Sequence, residues 1–386
     1  MSTLEAWKNM REVCILGVGL HKFGRWPEKS VGDLVREAIL AALDDAGAEF
    51  KDIQAGFSGR AQDVTGTGQR VFGEVGQTGI LIDNVEKACA SASTAVRIAT
   101  WIVGAGLYDV VLCTGVEKMQ RGLVGVGAGT SGEESYGRLM GMGIMPSVYA
   151  MRAMRHMKEY GSTREMFAQV SVKSHKYGAL NPYAQYQKEM TLEEVLNARM
   201  IADPLTLYQC SPTTDGAAAA VVCAKEVAHR FRGKPITITG WASGTEEYNP
   251  IGVGGDVAEG FIDRLAREAY ERAGVGPEDI DVCQVHDAFS PGEIFAVEEL
   301  GFCPLGEGGR YIWEGKANIE GEHPVNTDGG LESRGHPMGA TGIAQLAEIV
   351  WQLRGDAGPR QVPNDPKVGL THNVGVGGCN VFVLTR

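Results

Sequence analysis

The chain has 386 residues, of which 44% are hydrophobic and 22% charged, a composition typical of a globular protein with room for two domains. Its formal net charge of −12 argues against a nucleic-acid partner, because a phosphate backbone needs a basic surface. No apolar run approaches the roughly 18 residues that span a membrane, and we expect a cytoplasmic protein. The eight cysteines include no C-x-x-C pair, which removes the usual zinc and thioredoxin-like sites.

The first elements along the chain are predicted to be a strand, a helix and a second strand. The short apolar run in REVCILGVG predicts the first strand. The segment LVREAILAALDDAGAEFKDIQAGFSG predicts a helix that stops at Gly47 and a strand that follows it. A similar segment, LAREAYERAGVGPEDIDVCQVHDAF, returns late in the chain with Gly274 in the place of Gly47.

A second pair of helices repeats in the same way. CASASTAVRIATWIVGAG begins at Cys89, and HPMGATGIAQLAEIVWQLRG begins at His336. Aligning Thr94 with Thr341 places Cys89 opposite His336 without a gap. Each helix opens with small residues, and an apolar strand follows each of them.

The order and spacing of these repeats predict an α/β chain built from two related halves, residues 1–120 and 236–386. Residues 121–235 have no counterpart in either half. This Met- and Tyr-rich segment contains two helical stretches, SVYAMRAMRHMKEYG and TREMFAQVSVKSHKYGAL. We interpret it as an inserted domain that covers one end of the halves; a plain helical subdomain without a ligand role is the alternative.

Cys89 stands where the first of the paired helices begins. A helix N-terminus offers free N–H groups and partial positive charge, and thiols in such settings have pKa values of about 3.5 to 7.5. The small neighbours leave room for a substrate and for backbone N–H groups that stabilise an oxyanion. These features indicate a nucleophile, and a small core residue is the alternative from this motif alone.

Two histidines are candidates to work with this thiol. If the halves pack about a twofold axis, both helix starts approach one centre, and His336 can take the thiol proton and return it. His286, in QVHDAFSPGEI, follows a predicted strand and so lies at the carboxyl end, where α/β folds bind ligands. As a neutral imidazole it can donate a hydrogen bond to a carbonyl oxygen. A structural role is the alternative for each histidine.

The C-terminal stretch THNVGVGGCNVFVLTR predicts two strands joined by a tight turn. The turn is made by three glycines, Gly375, Gly377 and Gly378. The flanking polar side chains are further candidates: His372, Asn373 and Cys379. Simple capping of the turn is the alternative for each of them.

Taken together, NVEKACASAS, GVEKM, HDAF, GHPMGATG and HNVGVGG occur in this order along almost the whole chain. They resemble the thiolase superfamily, and within it the sterol-carrier-protein and archaeal type. The resemblance implies a thiolase fold, in which two duplicated halves form a five-layered αβαβα arrangement and a loop domain covers the active site. It also implies at least a homodimer, with the region around Met119 near the partner subunit.

Carried over residue by residue, the resemblance implies that Cys89 is the acyl-accepting nucleophile. His336 would be the base that activates it and would hold the thioester oxygen of the second substrate. His286 would belong to the other oxyanion hole, acting with a water, and the backbone N–H groups near Cys89 and Gly378 would hold the acyl-enzyme oxygen. The implied reaction is cleavage of a 3-oxoacyl-CoA, or the reverse Claisen condensation, with coenzyme A as a substrate and no metal in the chain.

The acid that protonates the leaving enolate is where the sequence departs from the family. Degradative thiolases carry a second cysteine in C-x-G, and Asn373 occupies that position here. Sterol-carrier-type enzymes place one in H-D-C-F, and Ala288 occupies that position here. Cys379 is therefore our first candidate for the acid and His372 the other. The departure suits a bulky or unusual substrate, such as the benzoylsuccinyl-CoA that a related aromatic branch cleaves.

Members of the archaeal branch often work with a small zinc-ribbon/OB-fold protein that helps to bind coenzyme A, so such an accessory partner is a hypothesis here. Basic side chains on the two helical stretches of the loop segment are candidates to bind the phosphates of coenzyme A: Arg152, Arg155 and Lys158 on one, Lys173 and Lys176 on the other. A solvated helix face is the alternative. Two other functions stay open, a ketoacyl synthase-like condensing enzyme and a non-catalytic thiolase-like subunit that binds acyl-CoA.

Overall fold

A computed structural model describes residues 10–62, 65–120, 122, 144–245, 260–376 and 378–386. Within these ranges, no helix is both long and apolar enough to cross a lipid bilayer. The first predicted helix begins at a capping box formed by Ser30 and Asp33, and it ends at Gly47, whose φ is 66°. The glycine stop predicted at this position is therefore confirmed.

The N-terminal half alternates strands and helices. Its elements are β1 (Val13–Leu20), α1 (Val31–Ala46), β2 (Ala55–Gly59), α2 (Thr67–Gly73), β3 (Leu81–Val85), α3 (Ser91–Gly104) and β4 (Val110–Lys118). Two one-turn 3-10 helices, Phe50–Asp52 and Ala88–Ala90, precede β2 and α3.

A loop segment follows β4. Its described elements are α4 (Met145–Tyr160), α5 (Arg164–Gly178), α6 (Leu192–Leu196), β5 (Met200–Ala202), β6 (Leu205–Thr206) and a 3-10 turn (Leu207–Gln209). The Tyr149 ring of α4 packs against Phe289 of the C-terminal half, with ring centroids 4.8 Å apart. Met119, just before this segment, is buried and donates its N–H to Asp215. Its closeness to a partner subunit stays a prediction.

The rest of the chain returns to the sheet and adds the second half. Its strands and helices are β7 (Asp215–Ala224), β8 (Ile236–Thr245), α7 (Phe261–Ala273), β9 (Val282–Gln284), α8 (Pro291–Glu299), α9 (Gly308–Trp313), α10 (Thr341–Arg354), β10 (Val368–Gly375) and β11 (Gly378–Thr385). Shorter turns are the 3-10 helices Lys225–Arg230, Pro277–Asp279 and Gly358–Arg360 and the π-helix Gly330–Arg334.

The strand order shows the duplication. The described strands of the main sheet run β3-β2-β4-β7-β1-β8-β11-β10-β9. Parallel pairs lie towards both ends, where β2 pairs with β3 and β4, and β9 pairs with β10. Beyond β9, Cys283 forms a parallel bridge with Val325 in the place that β3 takes in the other half. The order is symmetrical about the contact between β1 and β8, where Ile15 pairs with Ile236, so the two related halves are confirmed.

Strand β7 corrects one boundary of the sequence analysis. It pairs antiparallel with both β1 and β4, so it belongs to the sheet of the N-terminal half and corresponds to β11, although the range 121–235 placed it in the loop domain. Its run DGAAAAVVCA is buried along its whole length. A strand covered on both faces lacks polar alternation, and the sequence therefore hides which half it joins.

Alternating side chains separate the layers. In β1, Val13 and Ile15 face an inner cluster with α3 and α10, whereas Cys14 and Leu16 face an outer cluster with α1. In the second half, α7 covers the outer face of β8 and β11. The layers are thus α1, the first half of the sheet, the central pair α3 and α10, the second half of the sheet, and α7. This is the five-layered αβαβα arrangement that we expected.

Candidate active site

Cys89 lies in the one-turn 3-10 helix Ala88–Ala90, which leads directly into α3. Ala88, just before it, has a φ of 47°, a left-handed conformation that costs a residue with a Cβ about 1 kcal/mol or more. The Glu86 carboxylate accepts the Ala88 N–H at 2.7 Å and so stabilises the turn. The strained turn presents a half-buried thiol at the helix start.

His336 faces this thiol from the opposite half. Its Nε2 lies 3.3 Å from Cys89 Sγ, and its Nδ1 lies 2.7 Å from Thr341 Oγ1. The Thr341 hydroxyl donates to the carbonyl of Pro337 at 3.1 Å, so its oxygen accepts the proton of His336 Nδ1. The neutral ring then has its lone pair on Nε2, facing the thiol. This is the arrangement of a base with its nucleophile.

Burial controls the protonation of both groups. It raises the pKa of the Cys89 thiol to about 12, and the charge of Glu117 adds to the rise. It lowers the pKa of His336 to about 3, with the charge of Arg334 as a second cause. The resting pair is therefore a thiol and a neutral imidazole. The expected low thiol pKa is corrected, because desolvation of the thiolate outweighs the favourable N–H groups of the helix start.

His286 lies just after β9 and faces the same space. Its ring centroid is 5.1 Å from that of His336, and one ring nitrogen of each histidine and Cys89 Sγ all lie within 4.8 Å of one another. On its other side, His286 Nδ1 is 3.2 Å from Asn373 Nδ2. Burial lowers the pKa of His286 well below its ordinary value, so this ring is neutral. The three residues predicted to act together are thus in one place.

Cys379 lies on the far face of β11. The side chain of the next residue, Asn380, contacts Ala90 and Ser93 at the start of the Cys89 helix. Successive side chains of a strand point to opposite faces, so Cys379 points away from Cys89 and into the apolar cluster with α7. Burial raises the pKa of its thiol. The expectation that Cys379 supplies the acid is therefore corrected.

His372 and Asn373, the other candidates in this hairpin, take different positions. His372 Nδ1 accepts the backbone N–H of His286 at 3.4 Å, and burial lowers the pKa of the ring to about 4. It supports the chain beneath His286 as a neutral group, which does not fit an acid. Asn373 touches the His286 ring directly.

The glycine turn between β10 and β11 approaches the chain just before Cys89. A Cβ added to Gly375 would lie 2.2 Å from the carbonyl oxygen of Lys87, and one added to Gly378 would lie 2.5 Å from Lys87 Cε. Glycine is therefore required at position 375, where a Cβ would meet backbone, whereas the Lys87 side chain could move away from a Cβ at position 378. The role of the Gly378 N–H in an oxyanion hole stays a prediction, and Gly377 lies outside the described residues.

The basic residues of the loop segment divide into two groups. Arg152 lies 3.4 Å from Glu299, and Arg155 pairs with Glu159 at 2.9 Å. Lys158 and Lys176 are exposed. These four residues remain candidates for contacts with coenzyme A.

Lys173 is a correction to that set. It is 3% exposed, lies 3.0 Å from the Glu293 carboxylate, and donates to the carbonyl of Val325 at 2.6 Å. A buried ammonium needs such partners. Lys173 therefore joins the loop segment to the C-terminal half and is not available to a phosphate.

Sequence reasoning missed several residues that support the site. Glu117 accepts the N–H groups of Ala61 at 2.9 Å and Gly339 at 3.2 Å, so it joins the loop after β2 to the loop of His336. Thr341 fixes the His336 ring. Both lie inside motifs that we quoted, GVEKM and GHPMGATG. The partners of Glu117 come from other segments of the chain, whereas Thr341 contacts His336 and Pro337 of its own motif.

Two family models match the chain. Residues 14–226 match the thiolase N-terminal domain, and residues 255–384 match the thiolase C-terminal domain-like family. The chain belongs to the thiolase family. An acetyl-CoA acetyltransferase of Methanothermobacter thermautotrophicus is 42% identical over 377 residues, which cover 95% of this chain and 97% of that protein. The resemblance to thiolases found in the sequence is confirmed.

Three further proteins resemble this thiolase-family chain. The benzoylsuccinyl-CoA thiolase subunit BbsB of Thauera aromatica is 38% identical over 378 residues, 96% of each chain. A solved structure described as the Ltp2-ChsH2(DUF35) aldolase superposes with a TM-score of 0.85 at 30% identity, covering 97% of this chain and 98% of that one. A solved structure of human mitochondrial 3-ketoacyl-CoA thiolase superposes with a TM-score of 0.72 at 19% identity, covering 98% of this chain and 99% of that one, so the predicted thiolase fold is confirmed.

Proposed function

We propose that the chain is a coenzyme A-dependent thiolase that cleaves a 3-oxoacyl-CoA, or condenses two acyl-CoA molecules in reverse, through an acyl-Cys89 intermediate. The observation that carries the proposal is the 3.3 Å contact between Cys89 Sγ and His336 Nε2, with the His336 Nδ1 proton held by Thr341. A nucleophile, a base and an orienting group within hydrogen-bond reach are what covalent acyl transfer needs. The name of the acetyl-CoA acetyltransferase relative agrees with this chemistry.

The first half-reaction forms the acyl-enzyme. The thiol proton passes to His336 Nε2 as Cys89 Sγ bonds to the 3-keto carbon of the substrate. The bond between C2 and C3 then breaks, and its electron pair leaves with the coenzyme A-bearing fragment as an enolate. The His336 imidazolium returns the proton to C2. Because His336 has received the thiol proton of Cys89, which lies 3.3 Å from its Nε2, this imidazolium can supply the proton without a second cysteine.

The second half-reaction transfers the acyl group. His336 takes the thiol proton of a free coenzyme A, whose sulfur attacks the carbonyl carbon of acyl-Cys89. The Cys89 sulfur leaves and regains the proton from His336. His286 faces the same space and donates a hydrogen bond to a substrate carbonyl oxygen where negative charge develops.

We propose that the acyl group is bulky or aromatic. The position that carries a cysteine in sterol-carrier-type enzymes is Ala288 here, and the described acid-base groups need no second thiol. A relative of similar length is named for benzoylsuccinyl-CoA. The substrates to be tested are therefore a bulky aromatic 3-oxoacyl-CoA of this kind and acetoacetyl-CoA, which is the simpler alternative.

We also propose that the chain works as a homodimer with a small accessory protein that helps to bind coenzyme A. One relative is named as a subunit, and the superposed structure is described with a DUF35 component. The exposed Lys158 and Lys176 lie on the loop segment, where such a partner and the phosphates of coenzyme A are expected. Light scattering and co-purification with the DUF35-type protein test these two points.

Intact-protein mass spectrometry tests the proposed reaction. The protein, alone and with the DUF35-type protein, is exposed briefly to acetyl-CoA, acetoacetyl-CoA and benzoylsuccinyl-CoA, with Cys89→Ala as the control. We expect an acyl adduct on the wild type that is absent from the variant, and its mass identifies the preferred acyl group. No adduct under any condition would contradict the proposal and favour a non-catalytic acyl-CoA-binding subunit.

Two other outcomes would indicate a related enzyme. Condensation that requires a malonyl thioester and releases carbon dioxide would indicate a ketoacyl synthase. Carbon–carbon cleavage without coenzyme A and without an adduct on Cys89 would indicate an aldolase, the activity named for the superposed structure.

A further inference from the structure

A line of buried hydrogen bonds runs from β11 to the His286 ring. It begins at Asn380, whose Nδ2 lies 2.8 Å from Ser93 Oγ, 2.9 Å from Thr94 Oγ1 and 3.5 Å from the carbonyl oxygen of Ala90. A carbonyl oxygen can only accept, so this end of the amide is the NH₂ group. Asn380 therefore donates, and this assignment determines which group donates in each of the hydrogen bonds that follow.

Ser93 accepts one hydrogen bond and donates the next. Its oxygen accepts from Asn380, and its own proton is directed to Asn373 Oδ1 at 2.6 Å, with the Ala90 carbonyl as a second acceptor at 3.0 Å. Because the Ser93 oxygen already accepts from Asn380, its hydroxyl proton is the group that bonds Asn373, and only the oxygen of an amide can accept it. The oxygen of the Asn373 amide therefore faces Ser93, and its NH₂ group faces the other way.

The NH₂ group of Asn373 faces His286. Its nitrogen is 3.2 Å from His286 Nδ1, and an amide NH₂ can only donate. His286 Nδ1 must accept, so it carries no proton, and the single proton of the neutral ring is on Nε2. A second proton on Nδ1 would point at the hydrogens of the amide.

We propose that Asn373 is a positioning residue, which holds His286 in the Nε2–H tautomer so that His286 acts as a hydrogen-bond donor to a substrate carbonyl oxygen and never as a base. The inference rests on the proposed thiolase function and deepens it. The two histidines that face Cys89 then have opposite tautomers: His336 presents a lone pair because Thr341 accepts its Nδ1 proton, and His286 presents a proton because Asn373 donates to its Nδ1.

The surroundings of His286 agree with this division of roles. The titratable and charged groups near the ring are His336, His372, Arg334 and the Cys89 thiol. Each of the first three disfavours a second proton on His286. The Nε2–H form also removes one of the three ligands that a metal ion would need among Cys89, His286 and His336, because a protonated ring nitrogen cannot coordinate.

Nuclear magnetic resonance of the whole protein labelled with ¹⁵N in its histidine rings tests the tautomer directly. His286→Gln identifies the signals of this ring. We expect the wild type to show a bare Nδ1 and a protonated Nε2 at neutral pH. A protonated Nδ1 in the wild type would overturn the proposal, and this measurement needs no turnover.

Asn373→Asp provides the kinetic test. When the Asp–His pair holds two protons, one is shared between the carboxyl group and Nδ1 and the other is on His286 Nε2, so His286 remains a donor. When the pair loses one proton, the carboxylate draws the remaining proton to Nδ1, and the Nε2 lone pair faces the substrate. The ratio of variant to wild-type kcat/KM in acetoacetyl-CoA thiolysis should therefore fall about ten-fold per pH unit above the pKa of the pair, to a floor about 100-fold below the wild type, the usual loss for one oxyanion donor.

A matched control separates this effect from the burial of a charge. Asn181 is as buried as Asn373, and it donates to the carbonyl of Asp328. Asn181→Asp should leave both the ¹⁵N pattern of His286 and the pH dependence of kcat/KM as in the wild type. If Asn373→Asp does not fold, Ser93→Ala replaces it, because an amide without its orienting hydroxyl should give a mixture of His286 tautomers.

The outcomes are distinguishable from failure of the proposed function. If Cys89 is acylated but the ratio for Asn373→Asp is independent of pH, the positioning role is overturned and the thiolase proposal stands. If no thioester acylates Cys89, the thiolase proposal fails, and the ¹⁵N pattern alone still supports or overturns the role of Asn373.

Discussion

The two helix starts that meet at the active site come from one repeat but carry different chemistry. In the N-terminal half, Cys89 sits in a strained 3-10 turn joined directly to α3. In the C-terminal half, His336 sits in the loop between the π-helix Gly330–Arg334 and α10. Each residue stands five positions before a threonine, Thr94 or Thr341.

These two threonines show how the duplicated positions diverged. Thr341 Oγ1 faces the ring of His336 at 2.7 Å, whereas Thr94 Oγ1 faces the amide of Asn380 at 2.9 Å. One threonine supports the base, and the other supports a strand of the opposite half. The repeat brings two helix starts to one centre, and the side chains beside them decide which becomes the base and which the nucleophile.

Removing His336, the proposed base, should have the largest effect on the acylation of Cys89. His336→Ala leaves the Cys89 thiol, whose pKa is about 12, without a group that takes its proton. We expect the rate of Cys89 acylation by acetyl-CoA at neutral pH to fall about 1,000-fold. This rate is measured by rapid quenching and mass spectrometry. Added imidazole should restore part of the rate. A rate within ten-fold of the wild type, with Cys89→Ala still unreactive, would show that another group is the base.

Replacing each threonine by valine tests whether the two helix starts differ in function. Thr341→Val removes the acceptor for His336 Nδ1–H, so the ring loses the preference that leaves Nε2 bare towards Cys89. We expect acylation to slow roughly 10- to 100-fold, less than the loss for a triad whose histidine is held by a charged partner. Thr94→Val is the matched control at the equivalent position, and it should slow acylation less than three-fold. Equal effects of the two variants would remove the distinction between the two helix starts.

Much of this comparison was visible in the sequence. Aligning Thr94 with Thr341 placed Cys89 opposite His336, and the structure brings their side chains to 3.3 Å. The prediction succeeded because both the repeat and the small residues of the helix starts are local patterns. Strand ends and glycine stops such as Gly47 followed from local rules in the same way.

What the sequence could not show depends on contacts between distant segments. Its place near the glycine turn makes Cys379 a candidate for the acid, but the face to which it points follows from the contact of Asn380 with α3. Both faces of β11 are buried, so no polar alternation marks the face. Lys173 looked like a surface cation because its partner, Glu293, stands 120 positions away in the chain. The helix start alone predicts a low pKa for the Cys89 thiol, whereas the burial that raises this pKa arises only when the two halves pack against each other.

The pH dependence of Cys89 alkylation tests whether burial raises the pKa of this thiol. Because burial raises the pKa of this thiol to about 12, the thiolate fraction should grow with each pH unit throughout the accessible range. We expect the rate of iodoacetamide labelling at Cys89 to rise up to ten-fold per unit between about pH 7 and pH 9, measured by peptide mass spectrometry. His336→Ala should show the same slope. A plateau below about pH 7.5 would show a thiol activated at rest, as the helix start alone predicts.

The smallest effect that we predict concerns His175, a histidine that is buried but lies outside the active site. His175 of α5 is buried like His336, and burial lowers its pKa to about 4, but its ring packs against Tyr186 and Tyr208. An exposed histidine has a pKa of about 6.5. As pH falls below that value, the unfolded chain binds a proton that the folded protein does not, so the free energy of unfolding declines.

His175→Leu should therefore abolish about 1 kcal/mol of the decline in unfolding free energy that the wild type shows between about pH 7 and pH 5.5, measured by urea denaturation. Acylation of Cys89 should be unchanged, because the His175 ring has no contact with the site residues among its described partners. If the variant and the wild type decline equally, His175 titrates normally in the folded protein. Burial alone would then be an insufficient cause for the lowered pKa of His336, and the charge of Arg334 would have to account for it.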